Sequence, residues 1–189
     1  MRRFITLATI AAIAAVVVTQ WQRVKELGRQ VLSRGTTEEM NVSAEENKAL
    51  VRRWFEEVFN AQNFDVADEI TAQDAVNHDP TLTDLPSGPE GDRYVVNLYH
   101  AAFPDAQITI EDQIAEADRV VTRWTGRGTH QGELLGVPPS GNRVEIEGIT
   151  INRISGGKIA ETWTSYDALG MMQQIGAIPP PGQGVEPSH

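Results

Sequence analysis

Cysteine is absent from all 189 residues, which removes disulfides, thiolate metal sites and a cysteine nucleophile from consideration. Positive charge is also scarce, with 16 Lys and Arg against 26 Asp and Glu and a formal net charge of -10. The deficit is uneven. Residues 1–42 hold six basic and three acidic side chains, a net of +3, which leaves -13 for the remainder. An acidic body is a poor partner for a phosphate backbone, so nucleic-acid binding is set aside.

Long apolar runs are missing as well. The most apolar stretch, Phe4 to Thr19, is sixteen uncharged residues and would span about 24 Å as a helix, short of a ~30 Å hydrocarbon layer. Extension to Trp21 brings it near the lower limit for crossing. No small-x-small cleavage site ends the run, so the expectation is a membrane association through an uncleaved anchor at residues 4–21, with Trp21 at the interface. Export after signal cleavage is one alternative, and a cytoplasmic protein started downstream is another. Val24, Leu27, Val31 and Leu32 continue as an amphipathic stretch with basic neighbours, suited to an anionic membrane surface. Thr36 to Val42 reads as a linker, which sets three parts: 1–42, a domain at 43–178, and a tail at 179–189.

Within the domain, 40% hydrophobic content supports a folded core. Ser43-Ala44-Glu45-Glu46 is a capping box, followed by Leu50, Val51, Trp54, Phe55, Val58 and Phe59 at helical spacing. Phe64 to Thr71 and Glu90 to Phe103 read as two further helices. Between them NHDPTLTDLPSGPEG, with three prolines and two glycines, is a loop. From Ile108 to Tyr166 the pattern changes to four β-strands in succession, rich in Val, Ile, Thr and Trp and separated by polar or glycine breaks. Short breaks join antiparallel neighbours, giving a meander. In the third strand the apolar residues shift from even positions (Val144, Ile146) to odd ones (Ile149, Ile151), which predicts a β-bulge at Gly148. A bent sheet with helices on its concave side encloses a pocket.

The run GTHQGELLGVPPSGNRVEIEGITINRISGGKIAETW, with AAFPD before it and DALGMMQQIGAIP after it, resembles the SnoaL-like polyketide cyclases and ester cyclases of the NTF2-like superfamily. The resemblance covers roughly residues 43–178. It implies an α+β cone, a curved antiparallel sheet packed against three N-terminal helices, here preceded by the hydrophobic segment. It also implies an aspartate in the last strand that removes an α-proton and then protonates the new alkoxide during an aldol closure. The position corresponding to that aspartate is Thr164, and the position of a histidine on the preceding strand is Thr150. A threonine is no general base near neutral pH without a neighbour to take its proton.

Other side chains are therefore candidates for proton transfer. His78 either points a neutral imidazole into the cavity or, with Asp79, pins the loop. Glu161, between Ile159 and Trp163, is either desolvated with a raised pKa or sits in water at a rim. Asp167 either caps the last helix, which carries Leu169, Met172 and Ile175, or serves at the mouth of the cone. Trp124, His130, Trp163, Thr164, Thr150 and Tyr99 are expected around a hydrophobic ligand, with plain core and strand closure the alternatives for Trp124 and His130. His100 reads as a satisfied, partly buried histidine. Three functions stay open. One is an enzyme acting on small hydrophobic carbonyl compounds with no metal or organic cofactor. Another is a module that binds such a ligand unchanged, and the third is a homodimerising scaffold using the outer sheet face.

Overall fold

The computed structural model describes residues 43–79 and 81–179; the expected anchor at 4–21, the linker and nearly all of the tail lie outside them. Among the described residues no helix is long and apolar enough to cross a membrane. Helix α1 covers residues 43–60 and buries Val51, Phe55, Val58 and Phe59. Its last seven residues, Trp54–Asn60, are π-helical, with the Ala61 N–H donating to the Glu56 carbonyl at 3.2 Å. Bonding five residues back brings Trp54 and Phe59 to one side, their ring centroids 6.2 Å apart. An unbroken α-helix would have turned them apart.

Helix α2, Phe64–Ile70, runs directly into strand β1, Thr71–His78, a strand that the sequence pattern does not reveal. Its burial lacks the two-residue alternation, and it exists because its backbone pairs with a neighbour distant in sequence. Helix α3, Pro89–Ala102, follows. It starts after Gly88, at φ 68°, where a side chain would strike the Gln73 carbonyl of β1; only glycine lets the helix begin so close to the strand.

Strands β2 (Gln107–Glu116), β3 (Arg119–Thr129), β4 (Arg143–Ser155) and β5 (Lys158–Tyr166) form the expected antiparallel meander. The five-stranded order is β1-β5-β4-β3-β2, with β1 added in parallel at the β5 edge. The expected α+β class is present, the antiparallel sheet being extended by one parallel strand. Helix α4, Ala168–Gln174, lies against β4, where the Gln174 amide bonds both backbone groups of Glu145 at 2.9 Å.

The bulge expected at Gly148 is not there. Pairing of β3 with β4 is continuous from Arg119↔Arg153 to Thr129↔Arg143, so even-numbered residues of β4 face inward throughout. Ile149 is correspondingly 47% exposed on the outer face, while Thr150 and Asn152 are buried. The apparent change of parity arises because the interior is polar at those two positions. Gly148 has another cause: a Cβ there would run into the Trp124 indole. Register instead shifts at Glu111 in β2, at Ala160 in β5 and within β1, and such insertions bend a sheet.

Candidate active site

Residues paired across strands share a face, so the inner side chains of the sheet stand in rows. One row is Asn77, Thr162, Asn152 and Val120; the next is Thr164, Thr150 and Thr122; a third is Tyr166, Gly148 and Trp124. Opposite them are Trp54, Phe55 and Phe59 of α1 and Val95 and Tyr99 of α3, with Met171 of α4 at one side. The space between them, counting the solvent of its open mouth, is about 940 Å³.

The polar groups of this cavity are fixed by specific bonds. The Trp124 indole N–H donates to Thr150 Oγ1 at 3.0 Å, and Thr150 and Thr164 hydroxyls are 3.4 Å apart. Asn152 Nδ2 donates to Thr162 Oγ1 at 3.0 Å. The amide oxygens of Asn77 and Asn152 are buried without a protein partner. Such an oxygen costs about 1–3 kcal/mol until a donor reaches it.

At the loop side, Asp79 Oδ1 accepts from the Thr81 N–H and hydroxyl, both at 2.7 Å, and from the Leu82 N–H at 3.1 Å. Because the Thr81 proton is committed to the carboxylate, Thr81 accepts from the Tyr166 hydroxyl at 2.6 Å, and Tyr166 accepts from Tyr99 at 2.8 Å. All the protons point toward Asp79. Burial pushes both phenols above their ordinary pKa, so they stay neutral and offer a ligand their oxygen lone pairs.

A carboxylate sits in the opposite wall. Asp92, in the first turn of α3, is 8% exposed. Its Oδ1 accepts from the Trp54 indole N–H at 2.9 Å and its Oδ2 from the Thr71 hydroxyl at 2.7 Å. Burial raises its carboxyl from the ordinary value to about 6, against a smaller pull downward from the Thr71 and Trp54 bonds. Sequence reasoning missed this residue. The signal was present, since Asp92 precedes Val95 by three and Tyr99 by seven, the spacing of one helix face.

Of the residues expected to transfer protons, none lines this cavity. His78 and Glu161 lie on the outer face of the sheet, where His78 Nε2 meets Glu161 Oε1 at 3.0 Å and the His78 ring stacks on Trp163 at 5.3 Å. Glu161 also accepts from Arg153 Nε at 3.0 Å. His78 and Arg153 hold its carboxyl below the ordinary carboxylate value, the opposite of what the desolvated alternative would give. The bulge at Ala160 decides this outcome: Ile159 points inward, whereas Glu161 and Trp163 share the opposite face. Trp163 is thus no cavity residue, and Arg119 lies over its ring at 5.4 Å. Asp167 caps α4 by accepting from the Gly170 N–H at 2.8 Å.

His130 is fully buried behind Phe103, with ring centroids 5.3 Å apart, and it does not line the cavity. Its Nδ1 accepts from the Ser140 N–H at 3.2 Å, closing the loop between β3 and β4. His100 bonds the Phe59 carbonyl at 2.9 Å, as its partly buried position suggests. Trp124, Thr150, Thr164 and Tyr99 do line the cavity, together with Trp54, Asn77, Asp79, Asp92, Asn152 and Tyr166, which sequence reasoning did not assign to it.

Over 143 residues the chain is 32% identical to aklanonic acid methyl ester cyclase DnrD of Streptomyces peucetius, covering 73% of this chain and 96% of that one. It is 28% identical over 130 residues to nogalonic acid methyl ester cyclase of Streptomyces nogalater, covering 68% and 97%. The crystal structure of a SnoaL-like polyketide cyclase from Jannaschia sp. CCS1 superposes with a TM-score of 0.64 at 27% identity, covering 72% of this chain and 95% of that one. The family model of SnoaL-like polyketide cyclases matches residues 49–175, a span that contains every cavity wall described above, and the chain belongs to that family.

Proposed function

We propose that this domain is a cyclase of the ester-cyclase type, closing a ring in a small hydrophobic carbonyl compound by acid–base chemistry drawn from its own side chains. The observation that carries the reading is the distribution of polarity in the cavity. Aromatic and aliphatic walls from α1 and α3 face rows of threonine and asparagine, and two buried amide oxygens in those rows await a donor. That pattern suits a flat apolar molecule carrying hydroxyl and carbonyl groups along one edge. The relatives named aklanonic and nogalonic acid methyl ester cyclases make those two esters the first compounds to try.

In the reaction proposed, a base removes a proton from carbon next to a carbonyl and the electron pair moves to the carbonyl oxygen. The resulting enolate carbon then attacks a second carbonyl of the same molecule. A carbon–carbon bond forms, and the alkoxide left behind takes up a proton. Substrate and product are isomers. Thr150, Thr162 and Thr164 supply hydroxyl donors to the oxygen on which charge builds, while the walls exclude water that would quench the enolate.

The test is incubation of purified protein with aklanonic and nogalonic acid methyl esters, followed by chromatography and mass spectrometry. A new species of unchanged mass, formed faster than in buffer, is expected. A second reading, retention of a ligand without conversion, is favoured by the threonines at 150 and 164. Binding of both esters with no conversion would establish it in place of the cyclase, and absence of binding would remove both.

A further inference from the structure

We infer that Asp92 is the group that exchanges a proton with the ligand in this cavity, so that the chemistry is run from helix α3 and not from the last strand. The inference rests on reading the cavity as a site of proton transfer, and it assigns that step to one carboxylate.

The ionisable side chains of the cavity lining are Asp79, Asp92, Tyr99, Arg127 and Tyr166. Arg127 is committed to Glu145 through contacts of 2.9 and 3.3 Å. Asp79 commits one oxygen to three donors that shape its own loop. The phenols are held neutral by burial. The strand positions where an acid or base would otherwise stand hold Thr150 and Thr164, which lack a base to activate them.

Asp92 has the geometry those groups lack. Each of its oxygens has one fixed donor, Trp54 on one side and Thr71 on the other, so the carboxylate is oriented and each oxygen keeps a lone pair. From the elements packed against it, α1 contributes the neutral indole and β1 the neutral hydroxyl. The charge that bears on it is that of Arg93, itself paired with Asp68 at 2.6 Å and Glu90 at 3.0 Å. A buried carboxyl with a pKa of about 6 is ionised at neutral pH yet gives its proton back readily, as a group acting first as base and then as acid requires. The face of α3 that carries Asp92 also carries Tyr99, seven residues and therefore about 10 Å further along the helix. A ligand of two or three fused rings spans that length, with a hydroxyl against the tyrosine oxygens at one end and its acidic C–H at the other.

The exchange is balanced without any co-reactant. The carboxylate takes the proton from the carbon next to the carbonyl as the C–H bond breaks. It returns that proton to the alkoxide formed when the new carbon–carbon bond closes.

Deuterium incorporation from D2O into the same methyl esters, followed by NMR, tests the assignment, with binding measured separately by quenching of tryptophan fluorescence. Asp92→Asn is expected to bind within about threefold of the wild type and to lose exchange and closure by at least 100-fold. Thr71→Val, which removes a donor that favours the anion, is expected to move the acidic limb of the pH–rate profile above its wild-type midpoint. Wild-type rates in Asp92→Asn, or a pH limb unmoved in Thr71→Val, would overturn the assignment while leaving the cyclase reading intact. Absence of exchange in the wild type itself would overturn both.

Discussion

Asp92 is more than nine-tenths buried, and its pKa of about 6 lies above the 3.8 of an unhindered aspartate. A folded state that binds the proton more tightly than the unfolded chain is favoured at low pH. The stability tied to this group is fully present below about pH 3.8 and is lost as the pH rises through about 6. A difference of that size between the folded and unfolded chain corresponds to about 3 kcal/mol. Asp92→Asn, which keeps an acceptor for Trp54 and takes no charge, is therefore expected to gain stability over the wild type as the pH is raised from 4 to 8, by up to about 3 kcal/mol. Urea unfolding at the two pH values measures it, and a difference that stays constant would remove the desolvation argument. A charge kept at such cost in a ligand cavity is more readily explained by chemistry than by folding.

At the scale of elements, two irregularities set the site. The π-helical end of α1 gathers Trp54 and Phe59 on one wall, and the bulge in β5 turns Thr162, Thr164 and Tyr166 inward while sending Glu161 and Trp163 out. The outward group has its own role: His78, Glu161, Arg153 and Trp163 tie the parallel strand β1 to β5 and β4. Glu161 has a lowered pKa, so its contribution is present above its unfolded pKa and is lost as the pH falls through the folded value. Being half-exposed to exposed, these side chains contribute little to global stability. His78→Ala and Glu161→Gln are expected to leave turnover within about twofold of wild type and to speed amide exchange in residues 76–78. A large loss of turnover in either would return the outer face to consideration as a catalytic surface.

For the whole molecule, the apolar segment at its start and the exposed side chains of its sheet bear on where the domain is held and what covers it. We propose that residues 4–21 anchor it at a membrane, where apolar substrates partition, and that the outer face makes a homodimer. Val76, Ile114 and Ile149, 46%, 64% and 47% exposed, leave apolar surface on the sheet. The full chain is expected to stay with membranes through a carbonate wash and, in detergent, to run at twice its mass by light scattering. Release into the wash would end the anchor, and a monomer mass would end the dimer.

Much of the architecture could be read along the chain. Periodicity of three and four found α1, α2 and α3 within a residue or two, and clusters of β-branched residues found four strands, because those signals are local. Strand β1 escaped since its pairing with β5 is nonlocal and its burial does not alternate. The site was harder. Thr150 and Thr164 were reached through the family resemblance, and Trp124 and Tyr99 through their places on strand and helix, whereas Asn77 and Asn152 are polar residues on an inner face, which alternation of apolar residues does not reveal. Glu161 was misplaced by a single inserted residue, Ala160, which reverses every side chain beyond it, and His78 by the unseen strand β1 that carries it.

The sequence by itself determined the class, the order of the elements other than β1, the acidic composition and the lack of thiol chemistry, all properties that follow from residue types and short spacings. Only the tertiary structure decided which side chains share the cavity. In a strand one residue of register exchanges the two faces, and the desolvation that gives Asp92 its pKa comes from α1 and β1 closing over it, which no spacing within α3 contains.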